Sequence, residues 1–139
     1  MRSTTRSASP SPSSERCPCG LPAPYPRCCG RLHDGSAAAA RPEELMRSRY
    51  SAFVRRDEAY LLRTWHPETR PDSIDFDPSL RWLGLTVLHS TDGGTFGTDG
   101  TVEFRARYRD AGGTGELHER SRFTRHEGRW VYVDGVISD

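Results

Sequence analysis

The chain has 139 residues, a formal net charge of +1 and 34% hydrophobic residues. That suits one modest domain with a small appendage, built around a single core. Near-neutral charge excludes a strong field that would draw the protein unspecifically to nucleic acid or acidic lipid, and no apolar run approaches the length needed to span a membrane. All 20 basic residues are arginine.

Residues 1–14 are rich in Ser, Thr and Pro, carry Arg2 and Arg6, and lack an apolar stretch. They read as a disordered tail and not as a secretory signal. The next segment, 15–35, holds all 4 cysteines, as Cys17-Pro18-Cys19 and Cys28-Cys29. Two pairs of soft ligands joined by a short loop form the pattern of a structural zinc site, because Zn2+ prefers a closed tetrahedron of thiolate and imidazole ligands. Pro22, Pro24 and Pro26 limit the entropy lost when the loop closes. A disulfide or redox pair is the competing reading. It is weakened because adjacent cysteines rarely bond each other and because a redox pair is normally spaced Cys-x-x-Cys. His33 is a candidate substitute ligand, although four thiolates already complete the shell. Clustered thiols without an export signal fit a reducing cytoplasm and a bound metal.

The remainder, 36–139, divides into helices and then strands. Pro42 suits a first helical turn, and Glu43 and Glu44 complement the positive helix end, so a helix is predicted from Pro42 to about Val54. Asp57 can cap a second helix from Glu58 to about Trp65, which Pro67 closes. From Leu80 the hydrophobic period changes to two. Strands are predicted at Arg81–His89, Thr101–Arg109, Glu116–Arg125 and Trp130–Ile137, the last apolar on both faces and therefore expected to be central. Turns fall at Ala111-Gly112-Gly113-Thr114 and Glu127-Gly128. Helices leading into a curved antiparallel sheet make an α+β plan in which the helices cover one face and leave a cone-shaped pocket.

Two sets of residues carry a resemblance to known families. Cys17-Pro18-Cys19-Gly20, Tyr25 and Cys28-Cys29-Gly30 resemble the SEC-C motif, a small zinc knuckle. The usual lysine-rich loop of that motif is replaced here by Leu21-Pro22-Ala23-Pro24, so its basic docking face is missing. Glu44 to Val54, Tyr60-Leu61, Thr64-Trp65, Glu119 to Phe123 and Gly128 to Gly135 resemble the YchJ-like family of uncharacterised bacterial proteins. The resemblance implies a nuclear-transport-factor-2-like cone behind the knuckle. That scaffold hosts enzymes and binding modules alike, so it implies no activity.

Function must therefore be read from side chains. If Tyr108 pairs with Leu117, then Ala106 faces Glu119, Phe104 faces Ser121 and Val102 faces Phe123. A two-residue turn at Glu127-Gly128 pairs Phe123 with Tyr132 and Ser121 with Asp134. Glu119 and Asp134 then share a core-facing surface about 7–8 Å apart, where unpaired charge is costly. Arg49 falls between Leu45 and Phe53 on the buried sector of the first helix and can reach them. Two readings stay open. In one, Arg49, Glu119 and Asp134 form a buried ion network. In the other they line the cone's pocket, and one carboxylate acts as general acid or base on a small ligand. Arg105, Arg107, Arg109, Arg120 and Arg122, with His118 opposite Arg107, read as a solvated charged face interrupted by Glu103 and Glu116. Trp65, Trp82 and Trp130 read as core, and His66 as a helix end. The expectation is a cytoplasmic zinc-binding adaptor that docks a protein partner through the knuckle, with a small-molecule ligand possible in the cone. The alternative is a small enzyme using Glu119 or Asp134. Neither specific nucleic-acid binding nor membrane insertion is expected.

Overall fold

The computed structural model describes residues 15–92 and 97–138, so the tail expected over 1–14 lies outside the described residues. The order is a 3-10 turn at Tyr25–Arg27, helices α1 (Cys29–His33), α2 (Pro42–Arg55) and α3 (Glu58–Arg63), then strands β1 (Arg81–Thr91), β2 (Asp99–Asp110), β3 (Gly113–His126) and β4 (Arg129–Ser138). The strands form one antiparallel sheet in the order β1-β2-β3-β4. This is the α+β plan expected, with α2 lying across the sheet. No helix among the described residues is long and apolar enough to cross a membrane.

Local chemistry explains the helices. Pro42 opens α2, Glu43 and Glu44 occupy its first turn, and Arg47 Nε bonds Glu43 at 3.1 Å one turn on. The helix stops where Arg56 turns left-handed at φ 57°. Asp57 then caps α3 by accepting the Tyr60 amide at 3.1 Å. Leu45, Met46 and Tyr50 of α2 pack on Val102, Phe104, Ala106, Phe123 and Trp130 of the sheet to form the main core. A second cluster, Leu32, Ala52, Tyr60 and Leu61, joins α1 to the other side of α2 and to α3.

The sheet departs from expectation in three ways. The β2–β3 hairpin pairs Asp110 with Gly113, so its loop is only Ala111-Gly112 and the register slides by two residues. Ala106 pairs with Leu117, Phe104 with Glu119 and Val102 with Ser121. A slip of two preserves the face, so Glu119 and Ser121 still point toward α2. The second departure lies in β4. Glu127-Gly128 does form the two-residue turn, with φ values of 52° and 82°, and Phe123 does pair with Tyr132. Beyond that pair Val133 is an extra residue, so Arg122 pairs with Asp134 and Ser121 with Gly135. A slip of one residue inverts the face, and Asp134 is carried to the outer surface. The third departure is that β4 is an edge strand and not a central one. Its apolar inner half is covered in part by the chain after α3, because the Tyr132 amide donates to Thr64 O and the His66 amide to Tyr132 O, each at 2.8 Å.

The opposite edge is β1. Leu83 and Leu88 are the bulged residues of that strand, and each is 43% exposed. Bulges of this kind twist an edge away from a partner chain. The outer face of the sheet is charged and in part internally paired. His118 lies opposite Arg105 instead of Arg107 and bonds Glu103 at 2.6 Å, while Arg105 lies 3.8 Å from Glu116.

Candidate metal centre and cone pocket

The four cysteines converge. Cys17, Cys19, Cys28 and Cys29 are all buried, and their sulfurs lie within 4.8 Å of one another. None is in a disulfide. Local backbone bonds build the cluster. Cys17 N donates to Ala23 O at 2.9 Å, Gly20 N to Cys17 O at 3.2 Å, and Cys28 N to Tyr25 O at 3.0 Å. Gly20 takes a φ of 95°, a backbone state that a side chain disfavours.

The donor set fits a structural metal. Four thiolates about 2.3 Å from a zinc ion stand about 3.8 Å apart in a tetrahedron, and the Cys19 and Cys28 sulfurs are 3.6 Å apart. The four thiols share their protons unequally. Hydrogen bonds from Cys19 and Cys29 hold the Cys17 thiol far below its ordinary range, while burial pushes Cys28 up to about 12. Hydrogen bonding to Cys17 and Cys19 drives Cys29 upward as well. A bound metal ion would hold all four as thiolates and release those protons.

His33 is not in the ligand set. Its Nδ1 meets the Tyr25 hydroxyl at 2.5 Å and its Nε2 reaches Ser48 O at 2.8 Å. The carbonyl can only accept, so Nε2 carries the proton and Nδ1 accepts from Tyr25. Both ring nitrogens are occupied, and the imidazole is a strut between knuckle and helix. Other struts surround it. Arg47 Nη1 donates to Cys19 O at 2.9 Å, Arg63 Nη2 donates to His33 O at 2.9 Å, and the Ser51 hydroxyl lies 3.5 Å from Cys17 Sγ. The Arg55 guanidinium sits 4.1 Å from the centre of the Tyr25 ring. The knuckle is thus docked along one face of α2.

The opposite face of α2 forms one wall of a partly open cavity of about 140 Å³ against the sheet. Arg49 and Glu119 are the charged residues that line it among the described residues. They do not form the direct ion pair expected. Arg49, only 4% exposed, spends Nη1 on Leu61 O at 2.8 Å and Thr64 Oγ1 at 2.7 Å. Its guanidinium lies 4.9 Å from the Trp65 ring centre and 4.6 Å from that of Tyr132. Burial brings its pKa down to about 10. Glu119 Oε2 accepts from Ser121 Oγ at 2.6 Å and from the Tyr132 hydroxyl at 3.2 Å. Tyr132 therefore stands between the two charges, and burial raises its own pKa.

Asp134 takes no part. Arg122 Nε and Nη2 each hold one of its carboxylate oxygens at 2.6 Å on the outer face, and this keeps its carboxyl below the ordinary range. The expected pair of carboxylates is not formed, and neither is a network of Arg49, Glu119 and Asp134. Trp130 is core as expected, but Trp65 and Trp82 line the cavity together with Tyr50 and Phe53. Trp65 Nε1 is the one buried side-chain polar atom without a hydrogen-bond partner among the described residues.

Sequence reasoning missed three contributors. Ser121 and Tyr132 were legible as neighbours of Glu119 on the inner face but not as its hydrogen-bond donors. Gly135 was not singled out. A Cβ there would lie 2.1 Å from Glu119 Oε2, so the glycine makes room for the carboxylate. Its pairing with Ser121 depends on the Val133 bulge, which the sequence does not announce.

The whole arrangement has close counterparts. A family profile described as "YchJ, middle NTF2-like domain" matches residues 41–135. A UPF0225 protein of Streptomyces avermitilis is 62% identical over 135 residues, which cover 96% of this chain and 92% of that protein. A UPF0225 protein of Streptomyces coelicolor is 58% identical over 123 residues, covering 88% of this chain and 96% of the relative. The solution structure of RPA3114, a SEC-C motif containing protein from Rhodopseudomonas palustris, is similar with a TM-score of 0.79 at 39% identity, over 90% of this chain and 100% of that one. The crystal structure of a SEC-C motif containing protein from Psychrobacter arcticus is similar with a TM-score of 0.73 at 28% identity, over 92% and 85% of the two chains.

Proposed function

Because the chain belongs to the YchJ-like UPF0225 family and carries both its SEC-C cysteines and its NTF2-like domain, we propose that it is a zinc-stapled small-molecule binding protein of the cytoplasm. Cys17, Cys19, Cys28 and Cys29 hold a structural Zn2+, and the cone holds the ligand. The observation that carries this reading is the cavity between α2 and the sheet, walled by aromatic side chains and lined by one buried cation and one carboxylate. Pockets of that make-up, mostly apolar with a few convergent polar groups, are how folds of this size hold small molecules.

The zinc supplies folding energy and no chemistry. Four thiolates leave no open position for a substrate, which is the mark of a structural and not a catalytic site. A reducing compartment is the setting this requires, since oxidation of the thiols would release the metal. The knuckle is spent largely on α2, and Leu21, 40% exposed, is the large hydrophobic side chain that its loop leaves to meet a protein partner. The adaptor role therefore ranks below ligand binding. An acid–base enzyme is also the weaker reading, because Asp134 belongs to Arg122 and Glu119 is the one carboxylate among the described residues that line the cavity.

Native mass spectrometry of protein purified without a metal-binding tag tests both halves. One zinc per chain, lost to a strong chelator, together with a small molecule retained by the folded chain, is the expected result. Thiols oxidised in pairs with no metal would refute the staple. A cone that retains nothing and binds no small ring compound would refute the ligand role.

A further inference from the structure

The chemistry of the cone's lining narrows what it can hold, given that it binds a small molecule as proposed above. The two charged liners among the described residues are of opposite sign, so together they carry no formal net charge. Each is half satisfied. Arg49 uses Nη1 alone, and its Nη2 and Nε have no acceptor among the described residues. Glu119 uses Oε2 twice, and its Oε1 has no donor among them. The Tyr132 ring lies between, with its face to Arg49 and its hydroxyl to Glu119. The open space thus offers N–H donors from one side and a carboxylate oxygen from the other.

A ligand must answer both. An anion would pair with Arg49 but would be brought up against Glu119. A cation would pair with Glu119 but meet Arg49. In a buried site a like charge is repelled strongly and a lone polar group is costly. A neutral group that presents an acceptor and a donor side by side satisfies both without adding charge. Size sets the rest. About 140 Å³ is close to the apolar cavity volume known to hold benzene, so the space takes one ring. Trp65, Trp82, Phe53 and Tyr132 are walls that favour a flat one. We infer that the cone binds a neutral, single-ring heterocycle carrying a cyclic amide edge, its carbonyl toward Arg49 and its N–H toward Glu119.

Four probes of one-ring size separate the possibilities in titrations of the full-length, metal-loaded protein at pH 7. These are 2-pyridone, which has the cyclic amide edge, toluene, benzoate and benzylammonium. The expected result is that 2-pyridone binds at least about tenfold more tightly than the other three, the worth of a hydrogen bond to a charged partner. In Glu119→Gln the pocket keeps an oxygen for Ser121 and Tyr132 but loses its negative charge. Benzoate should then rise to match or exceed 2-pyridone. The ranking in the unaltered protein decides the matter even if that variant folds poorly. If benzoate or benzylammonium binds best, or toluene equals 2-pyridone, the ligand class is wrong while the cone remains a binding site. If none of the four binds at millimolar concentration, the inference and the ligand-binding role fall together.

Discussion

Replacing Gly135 with alanine tests how the pocket carboxylate is held. The new Cβ would lie 2.1 Å from Glu119 Oε2, 2.7 Å from its Cδ and 3.0 Å from its Cγ. Those distances are too short, so the carboxylate must leave its place. It would abandon the Ser121 and Tyr132 hydroxyls, and Ser121 is only 1% exposed. Each bond to a charged acceptor contributes about 1.5 kcal/mol or more, so about 3 kcal/mol is at stake. Alanine recovers about 0.4–1 kcal/mol by restricting the unfolded chain. The net loss is therefore about 2 kcal/mol, a fall of about 1 M in the urea midpoint. The decisive assay is a double-mutant cycle. In a Glu119→Ala background the crowded group is gone, so Gly135→Ala should cost nothing or stabilise slightly. Equal cost in both backgrounds would refute the proposed contact, and with it the register that the Val133 bulge imposes.

Other outcomes follow from the same geometry. His33→Ala should lower stability by about 1–3 kcal/mol, since it removes two hydrogen bonds, one to the Tyr25 hydroxyl and one to the Ser48 carbonyl. It should still bind one metal per chain, and loss of metal would return His33 to the ligand set. Cys28→Ser should abolish stoichiometric metal binding and lower the melting temperature, while the sheet signal in circular dichroism persists. Simultaneous loss of both signals would show that knuckle and cone fold as a single unit. Asp134→Asn should cost no more than about 1 kcal/mol, because its ion pair with Arg122 is exposed. The pKa of Asp134 is lowered in the folded state, so its contribution is full above the unfolded value of about 4 and is lost as pH falls through the folded value. The variant should thus differ from the parent at neutral pH and converge with it in acid, with ligand binding in the cone unchanged throughout. Metal retention should weaken as pH falls, because protons compete for the thiolates, and an acid-stable metal would argue against thiolate ligation.

Much of this protein is written in short stretches of its sequence. The spacing of Cys17, Cys19, Cys28 and Cys29 brings soft ligands together through a loop of a few residues, and the sulfurs do converge. Pro42 and Asp57 mark helix starts through chemistry confined to one turn. Alternation along β2 and β3 set the inner face correctly even though the register was displaced, because a displacement of two leaves every side chain on its own side. The placement of Arg49 on the buried side of α2 followed from helical period alone.

What needed the tertiary structure was every relation that depends on where distant segments meet. One extra residue at Val133 sent Asp134 to Arg122 and brought Gly135 to Glu119, and a bulge leaves no mark in a pattern of alternating residues. The rank of β4 as an edge strand depends on the order of strands, which apolar character on two faces does not specify. His33 was legible only as a nitrogen donor near thiols, and its role as a strut arose from Tyr25 on one side and Ser48 on the other. Ligand spacing and periodicity are local and survive small errors of register. Pairing, face and partner choice are long-range, and a single inserted residue decides them.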